Sequence, residues 1–284
     1  MLSYQHEFHA GNHADVLKHT CLLSILNFLS QKEKPFTVID SHGGAGTYRL
    51  DDERLCKTGE HLTGIYRLLE KSKNLSIPPA VERYIQFEKP YVERGLYAGS
   101  PTLTRHFLRS GDSHFVVELH PQAFDSLTCA CQKPLLLAEK SERAKAKTHI
   151  HKEDSYRELL ALTPPLVKRG LILVDPSYED ASDYEQVSKT LDAVHKKWNT
   201  AIIAVWYPLL QRRKNETAQM LHSLETTAKT GTQPVDCMRT ELAVKQAQTT
   251  LYGSGMFVIN PPWKYEEEIN AALDFLKPAL SQEN

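Results

Sequence analysis

Two apolar runs in the second half of the chain, GLILV and AIIAVW, are each of strand length and unbroken by charge. A strand with no polar face must be covered on both sides, which is the situation of an inner strand of a parallel sheet. YRELLALTPPL before the first run, and residues 183–198 and 213–229 after it, carry apolar residues at helical spacing. Strands alternating with helices of that length select the α/β class, with helices on both faces of a mostly parallel sheet. A chain of 284 residues that is 41% hydrophobic can build one large core of this kind, and that apolar content excludes disorder.

The first half fits the same scheme. Residues 15–30 read as a helix, with Asn12 as its cap and Asp15 in an acidic first turn. KPFTVID reads as a buried strand that runs straight into SHGGAG. Residues 59–71 and 79–90 read as helices separated by IPP. Ser100-Pro101 reads as an N-cap and first-turn pair for a helix through Leu108, and FVVEL as a strand after the turn at Gly111-Asp112. Near the end, PVDCMRTELAV and GSGMFVINPP read as two adjacent strands, an antiparallel hairpin at the sheet edge, and KYEEEINAALDFL as a closing helix. The stretch between Gly46 and Phe115 is far longer than one crossover needs, so a small helical insertion is expected at about 50–99. The domain reading is an N-terminal segment at 1–14 followed by one domain at 15–284.

Charge and composition narrow the partners. Lys and Arg number 34 against 35 Asp and Glu, for a formal charge of -1, so any nucleic-acid surface must be a local patch. Two stretches qualify: Lys140, Arg143, Lys145, Lys147 and Lys152, and then Arg212, Arg213 and Lys214. Either is equally a solvated helix face. No run approaches the roughly 18 apolar residues of a membrane span, and the polar, histidine-rich start does not read as a signal peptide. Five scattered cysteines read as reduced thiols of a cytoplasmic protein.

Several residues can carry chemistry. Asp40 followed by a glycine-rich turn lacks the spacing of a dinucleotide site and the Lys-Ser/Thr pair of a P-loop. It fits better the acidic strand end and small-residue turn of an S-adenosylmethionine (SAM) site. Glu118 ends a strand, where two carboxylate oxygens can accept both hydroxyls of a ribose. Asp154, before a helix start, is either a cap or a contact for an adenine ring. Asp175-Pro176-Ser177-Tyr178 follows the most apolar strand, at the sheet edge where ligands of open α/β folds bind. An Asp oxygen and a proline carbonyl there can accept the two hydrogens of an exocyclic amine, and the aromatic ring can stack on the base. Asn260-Pro261-Pro262-Trp263 matches that pattern more literally, but too little chain follows it to complete a sheet, so it reads as a strand end and turn. His6, His9, His13 and His19 crowd the start without a standard zinc spacing, and Tyr4 with them can form a stacking platform for nucleic acid.

Taken together, Tyr4, His6, FHAGNHADVLKH, DSHGGAG, AGSP, FVVELHP and GLILVDPSYE resemble, in order and over essentially the whole chain, the bacterial ribosomal RNA large subunit methyltransferase J family. The resemblance implies a Rossmann-like SAM-dependent methyltransferase sheet. The activity it implies is N6-methylation of adenine 2030 of 23S rRNA, by a monomer without metal. His19, His42 and Ser100 would contact SAM, Glu118 would hold the ribose, and Asp154 with Ser155 would lie against the adenine end. Asp175 would be the catalytic residue, Pro176 and Tyr178 would frame the target base, and Tyr4 would touch the RNA. Ser177 stands where the family usually has a second proline, and Gly44 where alanine is common. The amine motif does not identify the polymer, so a methylase of DNA or another RNA, or an inactive RNA-binding protein on the same fold, are the alternatives.

Overall fold

Each long apolar run becomes an inner strand of one sheet. The computed structural model describes residues 6–137, 146–230, 233–246 and 250–282. Its strands are β1 (Thr37–Asp40), β2 (Thr47–Arg49), β3 (Leu96–Ala98), β4 (Ser113–Val117), β5 (Lys147–His151), β6 (Gly170–Val174), β7 (Ile202–Leu209), β8 (Cys237–Ala243) and β9 (Gly253–Ile259). Its helices are α1 (His13–Ser30), α2 (Glu53–Thr58), α3 (Arg67–Lys71), α4 (Pro79–Val92), α5 (Ser100–Arg105), α6 (Pro121–Gln132), α7 (Ser155–Leu162), α8 (Ser182–Lys197), α9 (Lys214–Thr230) and α10 (Tyr265–Leu280).

Seven strands form the sheet in the order β5-β4-β1-β6-β7-β9-β8, parallel from β5 to β7. β9 lies antiparallel to both β7 and β8, which makes the late pair a hairpin at the edge. Side chains alternate across the sheet. Val38, Leu171, Leu173 and Ala204 face a core shared with α1, α4 and α10. Ile39, Ile172, Val174, Ile203 and Val205 face a second core under α8 and α9. α1 is buried along nearly its whole length, and the Asn12 side chain caps it by accepting from the Ala14 and Asp15 N–H groups at 2.9 and 3.0 Å.

Between β2 and β3, which pair antiparallel, lie the helices α2, α3 and α4. Here the structure corrects the sequence reading. Residues 59–71 are not one helix: α2 begins after Asp52 and ends at Gly59, which takes a left-handed φ of 65°. A π-helical turn, Leu62–Tyr66, then leads into α3. Its Gly64 lies so close to the N-terminal segment that a Cβ would come within 2.1 Å of the Gly11 carbonyl oxygen. Ser100 is not a cap either; Gly99 holds that position and Ser100 is the first helical residue. α6 and β5 have no counterpart in the sequence reading. Among the described residues no helix is long and apolar enough to cross a membrane.

Candidate active site

β4, β1 and β6 are neighbours running the same way, so the residues after their last positions emerge side by side at one edge of the sheet. Glu118, the glycine turn at 41–46 and Asp175 are those residues. With α1, α5 and α7 they enclose a cavity of about 570 Å3, within the usual size for a small-molecule site. His19, His42, Ser100, Glu118, Asp154, Ser155, Asp175 and Pro176 all line it. Tyr4 lies outside the described residues.

The glycine turn is tied down from both sides. Glu118 accepts the Gly44 N–H on one carboxylate oxygen at 2.8 Å and the His120 N–H on the other at 2.7 Å. Burial nevertheless leaves its pKa raised, against those two bonds. Each oxygen keeps a further lone pair for a ligand. Gly44 has φ 59°, and a Cβ there would stand 2.2 Å from the Tyr48 hydroxyl, so both the backbone and its neighbour favour glycine at this position. Behind the turn, Ser100 Oγ donates to Asp40 Oδ2 at 2.6 Å, a role in place of the expected capping. Asp40 is fully buried, which pushes its carboxyl up to about 6, and its Oδ1 has no partner.

His19 is buried in α1 with Nδ1 2.9 Å from the Tyr97 hydroxyl, while Nε2 has no partner. His42 Nδ1 lies 2.7 Å from Ser41 Oγ, and its ring meets Tyr156 edge-on at 5.8 Å. Burial pushes both imidazoles down to about 3, so both are neutral hydrogen-bonding groups at neutral pH. Asp154 caps α7 by accepting the Arg157 N–H at 2.9 Å, and Ser155 is the first residue of that helix.

The Asp175 loop holds a residue that the sequence reading missed. Lys18 Nζ lies 2.6 Å from Asp175 Oδ2 and 2.8 Å from Asp15 Oδ1, and Lys18 is only 5% exposed. Burial works against the ammonium, but the two carboxylates overcome it and hold its pKa well above the ordinary lysine value. Asp15 also pairs with His6 at 2.9 Å and accepts the Gly11 N–H at 2.8 Å. Burial works against its charge too, yet His6 and Lys18 hold its pKa well below the ordinary value. The chain His6–Asp15–Lys18–Asp175 thus runs from the N-terminal segment to the cavity floor. Its signal in the sequence was a lone lysine on a helix otherwise apolar enough to be buried all round, where a cation must find partners.

Tyr178 requires a correction. It has φ 53°, its ring is 1% exposed, and its hydroxyl donates to the Trp206 carbonyl at 2.9 Å. The ring packs on Tyr184 at 4.6 Å in the second core. The left-handed turn swings it away from the cavity, so in this conformation it cannot stack on a base there. Asn260 falls at the opposite edge, because β9 is antiparallel: Ile259 pairs with Ile203 at the start of β7. Its side chain donates to the Thr200 carbonyl at 3.1 Å. This agrees with the reading of that motif as a strand end and turn.

Other histidines near the start serve packing rather than an open platform. His9 lies 3.0 Å from Glu60, which also accepts from Asn12 at 2.9 Å. Among the described residues no three His, Cys, Asp or Glu side chains form a metal-holding group. The cavity therefore offers neutral imidazoles, paired backbone–carboxylate contacts and Asp175, whose Oδ1 has no hydrogen-bond partner among the described residues. This donor set fits SAM: His19 Nε2 can meet the polar methionine end and Glu118 the ribose.

The comparisons place the chain among methyltransferases. A family model described as "Ribosomal RNA large subunit methyltransferase D, RlmJ" matches residues 33–284. The chain is 40% identical over 285 residues to the Ribosomal RNA large subunit methyltransferase J of Escherichia coli strain K12, covering 99% of this chain and 94% of the relative. It is 37% identical over 289 residues to the Haemophilus influenzae protein of the same name, covering 100% and 95%. A crystal structure of a protein from Legionella pneumophila str. Philadelphia 1 matches with a TM-score of 0.81 at 29% identity, over 96% of this chain and 94% of that one.

Proposed function

The chain belongs to the ribosomal RNA large subunit methyltransferase J family, and from that premise we propose that it methylates N6 of one adenine of 23S rRNA, adenine 2030 by the family resemblance, using SAM. SAM, when bound, supplies an electrophilic methyl group and leaves as S-adenosylhomocysteine. His19, His42 and Ser100 hold its methionine side, Glu118 takes the ribose hydroxyls, and Asp154 and Ser155 lie at the adenine end.

The target amine is a poor nucleophile because its lone pair is delocalised into the ring. Asp175 Oδ1 and the Pro176 carbonyl accept its two hydrogens and favour a tetrahedral nitrogen, and Asp175 then receives the proton released on methylation. Lys18 fixes Asp175 by its other oxygen, so the carboxylate presents one defined acceptor. Tyr4 contacts the RNA, and the enzyme works as a cytoplasmic monomer.

The observation that carries this reading is the meeting in a single cavity of Asp175, whose Oδ2 alone is bonded among the described residues, and His19, whose Nε2 has no partner among them. Tritium transfer from labelled SAM to 23S rRNA and to DNA tests it, followed by nuclease digestion and mass spectrometry. N6-methyladenosine in the RNA is the expected product. Label confined to DNA, or to another base, overturns the reading. An inactive binding protein is not favoured: Ser177 lines the cavity without displacing Asp175 from it.

A further inference from the structure

The catalytic cavity is a poor place for a polyanion. Seven carboxylates of the described residues line it, among them Glu7, Glu179, Asp180 and Asp183. Among the described residues its one lysine is Lys18, already consumed by Asp15 and Asp175. An uncharged base can enter such a site, but the phosphates attached to it must find their cations elsewhere.

A second groove, of about 880 Å3, lies along the same edge of the sheet, where β7 ends, β8 ends and α9 begins, beneath the C-terminal turn of α10. Lys214, Arg239, Lys245 and Lys277 line it, against a single carboxylate among the described residues, Glu241. Glu241 is spent within the protein, since Arg239 and the Tyr207 hydroxyl both donate to it at 3.0 Å. Three lysines remain. Lys214, Lys245 and Lys277 have no carboxylate partner among the described residues, Lys214 and Lys277 being exposed and Lys245 donating to the Thr250 hydroxyl at 3.5 Å. They come from three separate segments, so only Lys214 belongs to a charge run in sequence and their convergence is a property of the fold. β8 stands three strand spacings from β6, about 15 Å from the Asp175 end of the sheet, a distance that a few nucleotides span.

We infer that this groove binds the phosphodiester backbone of the substrate RNA beside the target adenine, with Lys214, Lys245 and Lys277 as its phosphate contacts. The inference rests on the RNA reading above and deepens it: the base is read in the acidic cavity, and affinity comes from the basic groove next to it.

The test uses the full chain with Lys214→Gln, Lys245→Gln and Lys277→Gln combined, Arg239 being kept because it is tied to Glu241. Binding to a 23S rRNA transcript is measured over a salt series, alongside SAM affinity and melting temperature. The variant should bind RNA roughly ten- to a hundredfold more weakly at low salt, and the slope of log affinity against log salt should fall by about 2, from three lost contacts. KM for RNA should rise while kcat, SAM affinity and melting temperature stay at wild-type values. A salt slope equal to wild type overturns the groove, and is the outcome expected if it serves an acidic protein instead. Failure of the wild-type chain to methylate RNA would overturn the RNA reading instead, and the salt slopes would still decide whether these lysines bind RNA.

Discussion

Replacing Lys18 by Met keeps the stem and removes the ammonium that lies 2.8 Å from Asp15 and 2.6 Å from Asp175. The side chains of Lys18, Asp15 and Asp175 are 6%, 2% and 15% exposed, so water cannot take the ammonium's place. Removing one partner of a buried pair costs about 3–5 kcal/mol, mostly as the penalty of the charge left behind. In a chain of this size each kcal/mol lowers the melting temperature by about 2–4 °C, so Lys18→Met should melt about 10 °C below wild type. If the stranded charge is the cause, adding Asp15→Asn should restore part of the loss, where a packing defect would only deepen. The sign with pH follows from the two shifted groups. Asp15 is depressed in the fold, so its contribution is present above its unfolded value near 3.8 and is lost as pH falls through the folded value. Lys18 is raised, so its contribution is present below about pH 10.4 and is lost as pH rises through the folded value. Between those limits the penalty of Lys18→Met should be constant, while its alkaline limb should flatten. Calorimetric melting from pH 5 to pH 11 is the assay. An unchanged melting temperature, or a double variant less stable than the single, would refute the buried-pair reasoning.

Asp175→Ala should abolish methyl transfer with fold and SAM affinity retained, whereas Asn260→Ala should lose its bond to Thr200, about 1 kcal/mol of stability, and keep its activity; the reverse pattern in a transfer assay would invert the assignment of the two proline motifs. Glu118→Ala should weaken SAM binding by about 1–3 kcal/mol, because ribose hydroxyls and the Gly44 and His120 N–H groups lose their acceptor; unchanged affinity by titration calorimetry in a folded variant would remove Glu118 from the site. Tyr4→Ala should sharply slow single-turnover RNA methylation with SAM affinity intact, since stacking is worth about 1–3 kcal/mol per base; wild-type rates would make the segment a bystander.

What was legible in the sequence follows from where each element lies. β6 and β7 are covered on both faces, so their codes are unbroken apolar runs that nothing else in the fold imitates. β5, KTHIH, pairs only with β4 and its side chains are at most half-buried, so no periodicity marks it. The cavity residues were legible wherever a strand end fixed them, as with Glu118 and Asp175. Those whose position depends on a backbone turn were not: Tyr178 sits one left-handed residue away from facing the ligand, and spacing along the chain carries no sign for φ. Lys18 was hidden for the opposite reason. Its helix was read correctly, but the partner that makes it functional lies 157 residues away.

His19 shows how the helices between β2 and β3 take part in the site without touching a ligand. Its ring stacks on Tyr97 at 5.7 Å, and the Tyr97 hydroxyl lies 3.1 Å from that of Tyr84. Glu88 Oε1 lies 3.9 Å from His19 Nδ1, and its Oε2 accepts the Ala98 N–H at 3.1 Å. Tyr84 and Glu88 belong to α4 and Tyr97 to β3, so all three come from around the insertion. Burial pushes the imidazole down to about 3 and raises the Glu88 carboxyl well above its usual range, so at both groups burial favours the uncharged form. A neutral cluster of this kind consumes one ring nitrogen and leaves the other for the cavity that His19 lines. Which tautomer His19 adopts is thereby set by the Tyr97 hydroxyl: if that hydroxyl donates, Nε2 carries the proton and presents a donor to a carboxylate; if it accepts, Nε2 presents a lone pair to an ammonium. The polarity of His19 Nε2 is decided in α4 and β3, one layer behind the cavity wall.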